Sequence, residues 1–435
     1  MKSNTTQKTV ASHTIGCKVN QYDTQAMLEL FEKRGYKIVD FSEKADVYLV
    51  NTCTVTSVAD KKSRQLLRQA KRNTDSIVIA TGCYTQRMQE QIYEYCDIAI
   101  GTADRNHVVD MVDDYLENNC LTDENILHNK LTKDEPYEKL FVTKLEGHTR
   151  AHMKIQEGCN NRCAYCIIPS VRGYIRSRAL EDIKAEAHAL YQNNCKEIVL
   201  TGINLSSYGK DQDSKPNLYD VVKTIESESI PRIRLGSIDP GTFLSAPKLL
   251  ENTNSLCPHF HISLQSGCDT TLKSMNRWYS TDEYIKEVEF IRSHIEDAAI
   301  TTDIIVGFPG ETDEHFSETL EFVKRVGFAR IHVFPFSPRP NTKAYDMDNK
   351  VSKIVKNQRV HKLIKLGEEL EIDYVKQFIN KSVDVLFETL DEGYYTGYSK
   401  EYIKVAVKSD KDIKGQILKV KIIRSLENTL YGELI

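Results

Sequence analysis

The feature that most restricts the fold of this chain is a series of six short apolar segments between residues 148 and 340, each followed by a helical one. The predicted strands are 153–156, 198–200, 233–235, 260–264, 300–306 and 331–334. Helical periodicity marks the segments between them, for example 182–192, 281–293 and 313–325. Six successive βα units predict a complete or partial TIM-type barrel, whose chemistry lies at the carboxyl ends of its strands.

A second α/β region precedes the predicted barrel. Short buried strands are predicted at 10–15, 47–50 and 77–80, with helices such as 25–34 and 59–72 between them. Repeated strand–helix–strand order predicts a parallel sheet with helices on its faces. We assign this region to residues 1–120, a polar linker to 121–147 and the barrel region to 148–372.

The character of the sequence changes after a helical stretch that ends near residue 378. Short β segments are predicted at 383–387, 402–407, 416–423 and 430–434. They predict a small β-barrel of OB-like kind at residues 373–435. The expected fold class is therefore α/β, with an N-terminal parallel α/β domain, a partial (β/α)6 barrel and a small C-terminal β-barrel.

The cysteine content is high, at 11 in 435 residues. No apolar run approaches the roughly 18 residues of a membrane span, and the first residues lack the apolar core of a signal peptide, so we expect a cytoplasmic protein with no membrane partner. In a reducing compartment, particular cysteine spacings indicate metal binding or catalysis. The net charge of −4 argues against indiscriminate binding to nucleic acid.

Three cysteines form a dense motif directly after the first strand of the predicted barrel. Cys159, Cys163 and Cys166 follow the pattern Cys-x3-Cys-x2-Cys. Three thiolates so close in sequence can converge on one iron–sulfur cluster, and a four-iron cluster then keeps one iron open to an outside molecule. Structural zinc normally takes four ligands, and no fourth Cys or His follows at a pair spacing. Three unrelated buried thiols are the remaining alternative.

Three further cysteines share a position relative to the N-terminal strands. Cys17, Cys53 and Cys83 each lie two or three residues beyond a predicted strand. Neighbouring parallel strands end at one edge, where open α/β sheets place their sites. This placement predicts a second three-thiolate cluster, with coincidental core thiols as the alternative. The other cysteines lack convergent spacing and are interpreted as ordinary thiols: Cys96, Cys120, Cys195, Cys257 and Cys268.

The dense motif resembles that of the radical S-adenosylmethionine (SAM) superfamily. The resemblance implies that the open iron binds the amino and carboxylate groups of SAM. Gly202 follows the second barrel strand, where the superfamily binds the methionine part of SAM. Asp303 and Gly307 lie at the fifth strand, where the adenosine part is expected. Glycine at such positions lets the backbone approach a ligand closely.

Both cysteine sets, followed by the small β-barrel, resemble the methylthiotransferase family, whose C-terminal module is an RNA-binding TRAM domain. Segments 16–20, 158–163 and 200–204 read GCKVN, GCNNRC and LTGIN. They are most similar to the branch that acts on N6-threonylcarbamoyladenosine in tRNA, whereas segment 204–209 (NLSSYG) departs slightly from that branch. The resemblance implies two 4Fe-4S clusters, SAM, and transfer of sulfur and methyl to C2 of the modified adenosine next to the anticodon. It also implies an electron donor such as a flavodoxin or ferredoxin.

Two alternatives remain open. One is the same chemistry on isopentenyladenosine of tRNA or on an aspartate of a ribosomal protein, against which Lys18 and Val19 argue. The other is a non-enzymatic iron–sulfur regulator that binds RNA, although a regulator needs no barrel with SAM-type loops. No general acid or base is assigned by the sequence.

Basic residues follow the dense cysteine motif. No acidic residue lies between Glu157 and Glu181, whereas Arg172, Arg176 and Arg178 all occur there. Arginine binds phosphate readily. We therefore predict that these three arginines contact the tRNA.

Overall fold

The protein is described here as a computed structural model covering residues 7–72, 75–118, 131–133, 135–145 and 149–435. Cys120 and parts of the predicted linker 121–147 lie outside these residues. The described chain forms two compact units. The first comprises Met1–Val142, Gln156–Arg178 and Ser337–Tyr345, and the second comprises Thr143–Ile155, Ala179–Phe336 and Asp346–Ile435. The domain boundaries inferred from sequence stay a prediction.

The first unit begins with a five-stranded parallel sheet of order β2-β1-β3-β4-β5. Its strands are β1 (Thr9–Thr14), β2 (Lys37–Val39), β3 (Val47–Thr52), β4 (Ile77–Gly82) and β5 (Ile98–Ile100). Its helices are α1 (Lys18–Lys33), α2 (Ser57–Ala70), α3 (Cys83–Met88) and α4 (Val108–Asn118). All of β3 and β4 is buried, as parallel strands covered on both faces should be. Alternate residues enter two apolar clusters, with Val50 and Ala80 in one and Leu49 and Ile79 in the other.

The segment Gln156–Arg178 also belongs to the first unit. It contains the end of β6 (Arg150–Glu157), the short helix α5 (Ile168–Arg172) and β7 (Arg176–Ser177). The last two residues of β6 pair antiparallel with β7, Gln156 with Ser177 and Glu157 with Arg176. This pairing closes the intervening residues into a loop that contains the dense cysteine motif, and we call residues 158–175 the cysteine loop.

The second unit contains the strands of the predicted barrel. Besides β6 they are β8 (Glu197–Gly202), β9 (Arg232–Leu235), β10 (Ser237–Ile238), β11 (His259–Ile262), β12 (Ala299–Val306) and β13 (Arg330–Pro335). The strand orders are β6-β8-β9 and β10-β11-β12-β13, and only Gly236 separates β9 from β10. All six predicted strands form in sequential order, which confirms the mixed α/β fold with a partial barrel.

Helices alternate with these strands. They are α6 (Leu180–Gln192), α7 (Leu218–Glu226), α8 (Thr242–Ser245), α9 (Lys248–Glu251), α10 (Asp269–Ser274), α11 (Thr281–His294), α12 (Asp313–Val326) and α13 (Lys353–Lys376). Asn217, Ser280 and Thr312 begin α7, α11 and α12 with reciprocal capping boxes, which satisfy N–H groups that a helix start leaves without partners. Among the described residues, none of the helices combines the length and apolar character that crossing a bilayer requires.

The chain ends in a closed five-stranded barrel of order β14-β15-β16-β18-β17. Its strands are β14 (Ser382–Asp391), β15 (Tyr394–Ser399), β16 (Lys404–Val407), β17 (Ile417–Leu426) and β18 (Thr429–Leu434). Closure comes from the antiparallel pairing of β14 with β17. The structure confirms the predicted C-terminal β-barrel and adds β15, which was not predicted from the sequence.

Buried arginines of β9 join the C-terminal barrel to the rest of the second unit. Arg232 donates to the backbone oxygens of Tyr398 and Asp384 at 3.1 and 2.8 Å. Arg234 donates to the backbone oxygen of Lys400 at 2.8 Å and to the Glu197 carboxylate at 2.7 Å. Burial opposes ionisation of Glu197, but the guanidinium groups of Arg234, Arg150 and Arg232 together outweigh it, so the pKa of that carboxyl is lowered. These contacts hold the two parts of the unit in a fixed orientation.

Candidate cluster-binding site

The cysteine loop is fixed at its neck by backbone geometry. Gly158 adopts a left-handed conformation with φ of 69°, which glycine tolerates best. The next residue, Cys159, donates its N–H to the carbonyl oxygen of Gly173 at 3.0 Å. The loop therefore leaves and rejoins the β6–β7 pair at a closed neck, and the three cysteines lie beyond it.

The donor set of the cysteine loop fits an iron–sulfur cluster. Cys159, Cys163 and Cys166 are all partly exposed. The backbone N–H of Asn161 donates to Cys159 Sγ at 3.4 Å. A turn from Cys163 to Cys166, closed by a 3.1 Å backbone hydrogen bond, keeps the backbones of the last two cysteines close together.

Cluster ligands are arranged differently from those of a single ion. In the part of the chain that the structure describes, no three side chains of His, Cys, Asp or Glu are grouped to hold one metal ion. A single zinc ion needs four ligands converging at about 2.3 Å per Zn–S bond. A 4Fe-4S cluster takes its thiolates on different irons, so its ligands stand farther apart.

The second cysteine set lies at one edge of the N-terminal sheet. Cys17 caps α1 after β1, Cys53 follows β3, and Cys83 opens α3 after β4. Because β1, β3 and β4 are adjacent and parallel, the three cysteines lie at the same carboxyl edge. Asn20 fixes two of these strand ends by donating to the carbonyl oxygens of Ile15 and Thr52 at 2.7 and 3.0 Å.

Close packing at Gly16 brings the Cys17 turn against Cys53. Gly16 has φ of 110°, and a Cβ atom there would lie 3.1 Å from Cys53 Sγ. Burial raises the pKa of Cys53, and the neighbouring Cys17 sulfur raises it further. Burial also raises the pKa of Cys83, to about 12, so without metal its thiol stays protonated at neutral pH. Metal binding at this edge would have to release protons.

The three arginines predicted to contact tRNA are buried. Arg172, Arg176 and Arg178 are 0, 4 and 1% exposed. Arg176 donates to the backbone oxygen of Arg172 at 3.1 Å, and Arg178 donates to the hydroxyl of Tyr22 at 3.3 Å. Their guanidinium groups thus lie inside the first unit, and contact of the three with tRNA stays a prediction.

Arg172 instead joins residues from both cysteine regions. Its Nε donates to Cys83 Sγ at 3.0 Å, and its Nη1 donates to the Glu157 carboxylate at 2.8 Å. Its Nη2 donates to the Asn20 amide oxygen. The cysteine loop and the sheet-edge cysteines therefore share one buried guanidinium.

The charged residues around Arg172 were not among those predicted from the sequence. Arg105 forms ion pairs with Asp23 and Glu157, and all three side chains are at least 97% buried. Asp23 lies four residues after Val19 and four before Met27, and helical periodicity places all three on the buried face of α1. A carboxylate on an apolar helix face was the available signal, since buried charges need partners.

A second polar group supports the loop after Cys53. Asp60 accepts a hydrogen bond from Thr54 Oγ1 at 2.6 Å and forms ion pairs with Arg87 and Arg339. The two arginines also donate to Thr54 Oγ1, at 2.8 and 3.0 Å. The loop that places Cys53 at the sheet edge is therefore held by charge-assisted bonds.

The residues predicted to bind SAM lie in the second unit. Gly202 ends β8 and is partly exposed. Asp303 in β12 pairs with His261 of β11, with 3.3 Å between Oδ2 and Nε2. Gly307 has φ of 73°, and a Cβ atom there would lie 2.1 Å from Lys356 Cγ, so this glycine is required where α13 packs. Contact of these three residues with SAM stays a prediction.

Comparison with known proteins defines the class. The Radical SAM superfamily model matches residues 153–323, and the model described as Uncharacterized protein family UPF0004 matches 9–101. The structure resembles the radical SAM methyltransferase TsrM from Kitasatospora setae, with a TM-score of 0.58 and 12% identity over 78% of this chain and 74% of TsrM. It also resembles the radical enzyme OxsB, with a TM-score of 0.52 and 10% identity over 84% of this chain and 56% of OxsB. These structures establish the fold, and the superfamily match makes the chain a radical SAM enzyme that uses SAM and a 4Fe-4S cluster.

Sequence relatives define the family. The threonylcarbamoyladenosine tRNA methylthiotransferase MtaB of Bacillus subtilis (strain 168) is 40% identical over 96% of this chain and 94% of its own length. MtaB of Thermotoga maritima is 39% identical over 91% of both chains. A tRNA-2-methylthio-N(6)-dimethylallyladenosine synthase of Thermoanaerobacter sp. (strain X514) is 34% identical over 97% of this chain and 92% of its own length. The chain belongs to the methylthiotransferase family of radical SAM enzymes.

Proposed function

We propose that this enzyme adds a methylthio group to C2 of N6-threonylcarbamoyladenosine next to the anticodon of tRNA. The observation that favours this substrate is the 40% identity, over 96% of the chain, to a relative named for threonylcarbamoyladenosine. Relatives named for dimethylallyladenosine match at 33–35% identity. That nucleoside is the second candidate, because the two kinds of relative cover the chain equally well.

The cysteine loop is the proposed site of the first cluster. Cys159, Cys163 and Cys166 would each hold one iron, while Gly202, Asp303 and Gly307 would bind SAM. When bound, the cluster and SAM would supply one reaction, the reductive cleavage of SAM into methionine and a 5′-deoxyadenosyl radical. That radical can remove hydrogen from an unactivated carbon. The chain's own contribution is to fix the loop at its neck through Cys159 and Gly173.

Cys17, Cys53 and Cys83 are the proposed ligands of a second 4Fe-4S cluster. Support comes from their common sheet edge and from the close packing of Gly16, which precedes Cys17, against the Cys53 sulfur. Its role would be to carry the sulfur that is inserted, with a second SAM supplying the methyl group. A low-potential protein such as a flavodoxin or ferredoxin would supply electrons.

Since tRNA modification takes place where tRNA matures and functions, we assign the enzyme to the bacterial cytoplasm.

The test is anaerobic reconstitution with iron and sulfide, followed by SAM, dithionite and tRNA that carries either modified adenosine. We expect 5′-deoxyadenosine formation with the parent protein and none with Cys163→Ala. We expect methylthiolation of the threonylcarbamoyl substrate in preference to the isopentenyl one. The reverse preference would assign the second candidate, and absence of SAM cleavage would leave an iron–sulfur RNA-binding protein instead.

The second cluster has its own comparison. Cys53→Ala should lower bound iron and abolish methylthiolation while SAM cleavage continues. Unchanged bound iron with full product formation would contradict the second cluster, and the assignment of the first cluster would still stand.

A further inference from the structure

Arg172 lies six residues after the last cysteine of the cysteine loop and is fully buried. The distance of 3.0 Å between its Nε and Cys83 Sγ is short for a hydrogen bond to sulfur. The other two guanidinium nitrogens are directed to Glu157 and Asn20. Because guanidinium is planar, three partners in different directions fix its orientation, and Nε–H points at the sulfur.

We propose that Arg172 is a positioning residue that raises the reduction potential of the cluster held by Cys17, Cys53 and Cys83. A hydrogen bond to a ligating sulfur withdraws electron density from the cluster and stabilises its reduced state. Burial strengthens the effect, because no water competes for the sulfur. This inference rests on the proposed second cluster and adds the residue that tunes it.

The surrounding charges make the arrangement stable. Arg172 and Arg105 face two buried carboxylates, Asp23 and Glu157, so neither guanidinium is an uncompensated buried charge. Glu157 directly precedes Gly158 and Cys159. The same guanidinium therefore also anchors the start of the cysteine loop, which ties the orientation of Nε–H to the position of that loop.

Lysine cannot replace this arginine. Its ammonium is a single donor atom at the end of a flexible stem and cannot reach Cys83, Glu157 and Asn20 together in fixed directions. We expect Arg172→Lys to keep the positive charge but lose the directed bond to sulfur, and Arg172→Gln to lose both. The reduction potential of the cluster should therefore fall further in Arg172→Gln than in Arg172→Lys.

The experiment isolates the second cluster in a full-length background carrying Cys159→Ala, Cys163→Ala and Cys166→Ala, reconstituted anaerobically. Iron content, circular dichroism and the midpoint potential followed by EPR are compared with and without Arg172→Lys or Arg172→Gln. At a fixed potential, Arg172→Gln should raise the oxidised-to-reduced ratio about tenfold, which is about 59 mV for a one-electron couple. Pulsed EPR with 15N-arginine labelling should detect a nitrogen coupling that Arg172→Lys abolishes.

Arg34→Gln is the matched control for loss of one positive charge. Arg34 lies just beyond the last residue of α1, about 24 Å along that 16-residue helix from its start beside Cys17. It forms exposed ion pairs with Asp110 and Asp113, which contribute little to stability. We expect the midpoint potential of the cluster in the Arg34→Gln variant to equal that in the background protein.

The outcomes distinguish failure of the proposed second cluster from failure of the proposed role of Arg172. If the background protein binds no iron, the proposed second cluster is wrong. If it binds iron but both Arg172 variants keep its potential and the 15N coupling is absent, only the role of Arg172 is overturned. Should Arg172→Gln fail to fold, Arg172→Lys and the labelling experiment on unaltered Arg172 decide the question.

Discussion

A Cβ atom on Gly158 would lie 1.8 Å from the carbonyl oxygen of Tyr174. The two residues belong to opposite sides of the neck of the cysteine loop, where Cys159 also donates to Gly173. No side chain fits at this position unless the backbone moves. The first cysteine set is thus held in place by contact between two backbone segments.

Gly158→Ala should therefore displace Cys159 and remove the first cluster. We expect bound iron to fall by about half, since one of two four-iron clusters is lost. Gly35→Ala is the matched control, because Gly35 also has positive φ, 91°, but its Cβ would meet no atom within 4 Å. It should carry only the left-handed strain of about 1–2 kcal/mol. Equal iron content in the two variants would contradict the role of the neck.

The reactivity of the sheet-edge thiols gives a second prediction. In the metal-free protein, iodoacetamide should label Cys17, which is exposed, far faster than Cys83, which is buried and has its pKa raised by burial to about 12. Reconstitution should protect Cys17 because its sulfur becomes a ligand. Peptide mass spectrometry measures both, and equal labelling of Cys17 before and after reconstitution would argue against its ligation.

Arg234 supplies a third prediction, on the attachment of the C-terminal barrel. Arg234→Met leaves the buried Glu197 without its nearest cation, and breaking such a pair costs about 3–5 kcal/mol. The thermal midpoint should fall, and trypsin should cleave between α13 and β14 sooner. Lys400→Ala is the control, since Arg234 donates to the backbone oxygen of that residue, which the substitution retains. Identical digestion of the two variants would rule out this role of Arg234.

Glu287 supplies a prediction about pH. Burial raises the pKa of its carboxyl from the usual 4.5 to about 6, although Gly241 and Phe243 donate backbone N–H groups to it. A raised folded-state pKa favours folding at low pH, so this contribution is lost as pH rises through about 6. Between pH 5 and 7.5 the parent should lose about 1–2 kcal/mol relative to Glu287→Gln.

The comparison for Glu287 is Glu289→Gln, which alters an exposed carboxylate on the same helix. Its unfolding profile should follow that of the parent at every pH. A parent profile parallel to that of Glu287→Gln would show that Glu287 does not titrate in this range.

Much of the fold could be predicted because its strands are apolar runs followed by helical periodicity. β1, β3 and β4 were predicted in this way, and the ends of these strands placed the three N-terminal cysteines at one edge. β2 and β5 were missed because three residues are too few to show a pattern. β15 was missed because its sequence, YYTGYS, consists of tyrosines and small residues and contains no aliphatic run.

The burial of Arg172 could not be predicted from sequence. A segment with arginines and no acids suggests a basic surface, because most arginines are exposed. Its partners Asn20 and Cys83 are 152 and 89 residues away in the chain, so only the folded structure brings them together. Charge patterns along a sequence show which groups are present, and burial decides what they do.

The most direct measurement is mass spectrometry of tRNA nucleosides from a bacterial strain whose own methylthiotransferase for threonylcarbamoyladenosine has been deleted. Expression of this chain should restore 2-methylthio-N6-threonylcarbamoyladenosine, and Cys163→Ala should leave only the unthiolated nucleoside. Failure of the parent chain to restore it, or methylthiolation of isopentenyladenosine alone, would contradict the proposed function.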